Sequence, residues 1–71
     1  MKALVTVEDG KMFCIDTGDH CLVLMDNLGK PVARKALQKN PIVVPGCPLI
    51  FSDRDGMETT AGKVVQVIYS Q

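Results

Sequence analysis

Tryptophan is absent from this chain, and only one tyrosine and two phenylalanines stand among its 71 residues. So few rings are claimed first by core packing, which leaves little aromatic surface for reading bases. Histidine occurs once, with no serine or cysteine motif beside it. There is no glycine-rich phosphate loop, and the carboxylates fall in turn sequences. No nucleophile, base and orienting group can be assembled from these parts, so the chain reads as a binding protein rather than an enzyme.

The three cysteines, Cys14, Cys21 and Cys47, are odd in number and lack a framework spacing, which argues against a disulfide scaffold and for reduced thiols. Together with His20 they have the chemistry of zinc ligands, but no Cys-x-x-Cys knuckle is present, so no metal or cofactor is expected. Asp53, Asp55 and Glu58 around Gly56 make only a fragment of a calcium loop and read as a solvated hairpin loop. Runs such as Cys21 to Met25 and Ile42 to Val44 fall far short of the ~20 apolar residues of a membrane span. The start, Met1 to Asp9, lacks the apolar centre of a secretory signal and already alternates like a strand. A cytoplasmic protein without a membrane segment is the expectation.

At 46% apolar and 23% charged, the chain lies on the ordered side of the composition boundary, with enough material for one core. A single domain over residues 1–71 follows, as a monomer or small homo-oligomer. Ala3, Val5 and Val7 alternate with Leu4 and Thr6, and Asp9-Gly10 is a strong hairpin signal. Met12 to Ile15 predicts a second strand and Thr17-Gly18-Asp19 a turn. Cys21 to Met25, apolar on both faces, predicts a third strand inside a closed barrel or covered sheet.

Pro31 suits the first turn of a helix, and Val32, Ala33, Ala36 and Leu37 then share one face while Arg34, Lys35, Gln38 and Lys39 take the other. Asn40-Pro41 ends that helix. Ile42 to Val44 reads as a short extended piece, Pro45-Gly46 as a turn and Leu49 to Phe51 as a fourth strand. A polar loop then runs to Gly62, and Val64 to Tyr69 is a β-branched last strand. The expected fold class is all-β: a small five-stranded OB-type barrel with one short helix between strands 3 and 4.

Met12-Phe13, Thr17-Gly18-Asp19-His20, Gly29-Lys30, Lys39-Asn40-Pro41-Ile42 and the Pro45-Gly46 turn give the chain a resemblance to the RNA-binding OB domains of bacterial translation initiation factor one. That resemblance implies a partly open barrel that binds RNA. A shorter stretch, Asp26 to Lys30 with Leu37 and Pro45-Gly46, resembles the swapped-hairpin DNA-binding dimers of the AbrB type, in which basic residues after the Leu-Gly turn face phosphates.

Charge is distributed unevenly along a chain that is neutral in total. Lys30, Arg34, Lys35 and Lys39 are unopposed by any acid from Asn27 to Ser52. Cations in one patch neutralise phosphates and release counterions, so these four and Phe13, a candidate stacking ring, are the candidate nucleic-acid-binding residues, RNA favoured. The same charges also suit the solvated face of an amphipathic helix, and Phe13 also suits a core. The competing reading is a protein-interaction adaptor or inhibitor that uses a barrel face or strand edge.

Overall fold

A computed structural model describes residues 1–70, and every regular element in it is a strand. In chain order these are β1 (Lys2–Val7), β2 (Met12–Asp16), β3 (Cys21–Met25), β4 (Pro31–Ala36), β5 (Pro48–Ser52) and β6 (Glu58–Ser70). They form one antiparallel sheet in the order β4-β3-β2-β1-β6-β5, curled into a half-barrel. The all-β class and the first three strands agree with the sequence reading. The helix does not form: Pro31 to Ala36 is a strand, so the sheet has six strands where five were expected.

The reason lies in the turn before it. The Asp26 N–H donates to Lys30 O at 2.9 Å and the Gly29 N–H to Asp26 O at 3.1 Å, while Asp26 Oδ1 accepts from the Leu28 and Lys30 N–H groups at 2.9 and 2.8 Å. A carboxylate that could have capped a helix instead closes a hairpin, and the chain is delivered back alongside β3. There it pairs with an edge that would otherwise be bare, whereas an isolated helix of about nine residues is marginal in water. Pro31 opens the strand, a position where a missing N–H is tolerated.

The same five-residue turn recurs. Asp53 to Met57 repeats it, with the Asp53 N–H donating to Met57 O and the Gly56 N–H to Asp53 O, each at 3.0 Å. Val7 to Lys11 is a third copy without the carboxylate at its first position. Its fourth residue needs a positive φ, met by Gly10, Gly29 and Gly56 at 92°, 78° and 86°. The second copy corrects another expectation. Residues 53–62 are a tight turn followed by the first half of β6, whereas Ile42 to Val44 belongs to no strand.

β6 has 13 residues. Fully extended it would span about 43 Å, more than the molecule's longest dimension of 27 Å, so it must bend. Its first half pairs with β5 and its second with β1. Between the halves stands Gly62 at φ 110°, with the register against β1 shifting just beyond it. A Cβ there would sit 3.6 Å from Val7 Cβ, an ordinary contact, so substitution strains the backbone without a clash. Gly62→Ala should therefore cost about 1–3 kcal/mol, read as a lowered midpoint in thermal denaturation followed by circular dichroism.

The core lies inside the curl. Alternation aims Ala3, Val5 and Val7 of β1 inward with Phe13 and Ile15 of β2, Leu22 of β3, Leu49 and Phe51 of β5 and Val64 of β6. Leu37, just past β4, completes it. The Leu37 N–H donates to His20 O at 2.7 Å, Leu37 bridges Asp53, and the Gln38 N–H donates to Ser52 O at 3.0 Å. These contacts join the two outer strands of the sheet at one end only.

Candidate interaction site

Because β4 is extended, its cations do not share a face. Arg34 lies opposite Val23 and Lys35 opposite Leu22, and successive strand residues point to opposite sides. Arg34 is on the outer face, its Nε donating to Cys21 Sγ at 3.0 Å. That hydrogen bond is the main cause raising the guanidinium above its ordinary pKa, with help from Asp19 and Asp16. Lys35 is on the inner side, its Nζ 5.9 Å from the centroid of the Phe51 ring. Lys30 stands in the β3–β4 turn, and Lys39 lies beyond the closure. The expected single positive helical surface is thus four exposed cations in four settings. None of them has an ion pair among the described residues, where only Lys11 and Asp9 approach, at 3.8 Å.

Phe13 is 6% exposed and packs against Phe51 with ring centroids 6.4 Å apart and planes tilted by 55°, so it is a core ring and not an open stacking platform. Asp16 and Asp53 serve turns, as Asp26 does. Asp16 Oδ1 accepts from the Gly18 and Asp19 N–H groups at 3.0 and 3.3 Å, and the Asp19 contact is the leading cause that lowers its pKa. Asp53 Oδ1 accepts from the Asp55 and Met57 N–H groups. All three cysteines are free, and no cluster of metal-ligating side chains occurs among the described residues.

The feature that the sequence did not announce is where the barrel fails to close. Past the Gln38–Ser52 contact the chain from Lys39 to Ile42 diverges from β5 and leaves an open groove of about 630 Å³. Its walls are largely apolar, from Pro41, Ile42 and Val44 on one side and Pro48, Ile50 and Phe51 on the other, with Lys39 and Glu58 its charged residues. One edge of β5 lines it. Antiparallel strands send alternate residues' backbone groups to alternate neighbours. The Asp53 N–H reaches across to Met57 and Ser52 O accepts from Gln38, so Ser52 and, two residues back, Ile50 direct their backbone groups away from β6. Ile50 thus presents a free N–H and C=O to the groove. Asn40, on the facing wall, donates Nδ2 to Thr17 O at 3.0 Å, while its Oδ1 is buried without a donor.

Comparison with family models, with curated proteins and with solved structures finds no match for this chain. No helix among the described residues is long and apolar enough to cross a membrane.

Proposed function

We propose that this chain is a non-catalytic interaction module that receives an extended segment of a partner protein along the free edge of β5. One observation carries the reading: Ile50 offers an unpaired N–H and C=O on the rim of an apolar groove, which is what β-strand addition requires. A segment laid there would gain backbone hydrogen bonds from Ile50 and apolar contacts from Pro41, Ile42 and Val44.

RNA fits the groove less well. Phosphate contacts need several cations on one surface, and Lys39 is the one cation in the groove lining. Arg34 and Lys35 on β4, with Lys30 in the turn before it, and the initiation-factor resemblance support RNA binding away from the groove, and the same experiment reads it.

The test is chemical-shift titration of the labelled protein with a heptapeptide selected on it from a random display library, and in parallel with a short single-stranded RNA. The peptide should shift the amides of β5 and residues 39–44, insensitively to salt. Ile50→Pro removes the outward N–H without touching the β6 ladder, and should weaken the peptide about tenfold while leaving the fold intact. Peptide shifts located elsewhere, or unaffected by Ile50→Pro, would overturn the proposal. Shifts confined to Lys30–Ala36, caused by RNA and abolished by salt, would put the nucleic-acid reading in its place.

A further inference from the structure

The outer face of the half-barrel is the reverse of the sheet that lines the core, and the registers fix its side chains in rows. Reading across β6, β1, β2, β3 and β4, one row is Ile68, Leu4, Cys14, Val23 and Arg34. The row on one side is Ser70, Lys2, Asp16, Cys21 and Ala36, and on the other Gln66, Thr6, Met12, Met25 and Pro31. A sheet face turned to water normally alternates polar residues with the buried ones. Here the middle row is apolar over four adjacent strands, with Met12 and Met25 widening it. No element of the chain packs over this face, because the substantial element contacts are those between hydrogen-bonded neighbours in the sheet. Ile68 is 51% exposed, while Leu4, Cys14 and Val23 are half-buried by one another.

We propose that this face is covered by a second copy of the chain, in a two-fold dimer whose axis runs along the strands between β1 and β2. The charges select both the occupant and the axis. Rotation about a line parallel to the strands keeps each row facing itself and exchanges β1 with β2 and β6 with β3. Lys2 of one copy then lies over Asp16 of the other, and Asp16 over Lys2, so that both ionic contacts form at once. In the row between, Leu4 faces Cys14 and Ile68 faces Val23. Moving the axis onto β2 would stack Asp16 on Asp16 and so bury a repulsion, and moving it onto β1 would do the same with Lys2. Asp16 keeps one carboxylate oxygen for this contact, since Oδ1 is the atom engaged by the turn amides. Neither Lys2 nor Asp16 has an ion pair within its own chain among the described residues.

The size of the patch sets the strength. Laid flat, four strands about 4.8 Å apart and three rows about 6.8 Å apart cover on the order of 400 Å², an upper bound because the face is the convex side of the curl. A stable specific interface takes about 800 Å² from each partner. The dimer is therefore a reversible association that forms with concentration, not an obligate one. It is independent of the groove beside β5, which lies at the opening of the curl; two copies joined back to back would present two such grooves.

A cross-link test separates this pairing from every other. Ile68 and Val23 are three strand spacings apart in one chain, about 14 Å. Facing positions of two packed sheets, by contrast, are about 10 Å apart, beyond the ~7 Å between the Cα atoms of a disulfide but within reach of a short bis-maleimide. In the dimer they face each other. With Cys14, Cys21 and Cys47 replaced by serine, the Ile68→Cys/Val23→Cys double variant should be joined by a short bis-maleimide into a covalent two-chain species. Either single cysteine variant should stay uncross-linked, because neither position faces itself. Sedimentation equilibrium of the unmodified protein should show a mass that rises from one chain toward two with concentration. Leu4→Lys should hold it at one chain with an unchanged circular dichroism spectrum. A double variant that fails to link, single variants that link equally well, or a one-chain mass at every concentration would each overturn the dimer.

Discussion

Truncating Leu37 to alanine should destabilise the domain by about 2–5 kcal/mol, whereas the same truncation at Val32 should change stability by under about 1 kcal/mol. The two residues lie on one apolar face if residues 30–39 are helical, and the two substitutions would then cost similar amounts. In the strand they differ completely. Leu37 is 1% exposed, sits inside the curl and pins the contact between the ends of β4 and β5; Val32 is 62% exposed at the irregularity where β4 begins. A cavity under Leu37 leaves atoms without partners on one side, while shortening Val32 removes side chain already in water. Domains hold about 0.05–0.15 kcal/mol per residue, so the loss at Leu37 is a large share of the total. Urea denaturation of the two variants measures both; equal costs would restore the helix.

That contrast also marks where the sequence was readable. β1 was legible because Ala3, Val5 and Val7 alternate with Leu4 and Thr6, and β2 and β3 because Met12 to Ile15 and Cys21 to Met25 are short apolar runs bounded by glycine turns. Pro31 to Ala36 was not, because two alanines carry little periodic signal and Asp26 followed by Gly29 is both a helix-capping and a hairpin-closing pattern. What decides between them is pairing with the otherwise bare edge of β3 across the Asp26–Lys30 turn, a contact that the apolar spacing within 31–37 does not register. The first half of β6 was hidden for a related reason. Glu58 and Thr60 are exposed, so its hydrophobic alternation is faint, and it is held as strand by pairing with β5. The four cations were legible as charges but not as places, since a change from helix to strand sends Arg34 and Lys35 to opposite faces. Ile50 was legible as a strand residue, but an edge is a property of what fails to pair with it.

Replacing Phe51 by alanine is expected to cost about 3–5 kcal/mol and, more tellingly, to release β5 before the rest of the sheet opens. β5 has β6 on one side and the groove on the other, and it is anchored to the core by Leu49 and Phe51, 0% and 6% exposed. Phe51 meets Phe13 across the curl and carries the Lys35 ammonium over its ring, so its loss removes an aromatic pair and a cation contact together. The cation contact is the smaller part, at about 0.5–1 kcal/mol for an exposed lysine. Phe51→Leu, which keeps bulk and loses the ring, should recover most of the stability, and Lys35→Met should then cost less in that background than in the original chain. Hydrogen exchange followed amide by amide is the measurement. In Phe51→Ala the amides of β5 and of Glu58 to Ala61 should lose protection while those of β1, β2 and β3 keep theirs. Uniform loss across all strands would mean that β5 is as firmly integrated as the centre of the sheet. The edge beside the groove would then be too rigidly committed to the barrel to behave as a separately held docking strand.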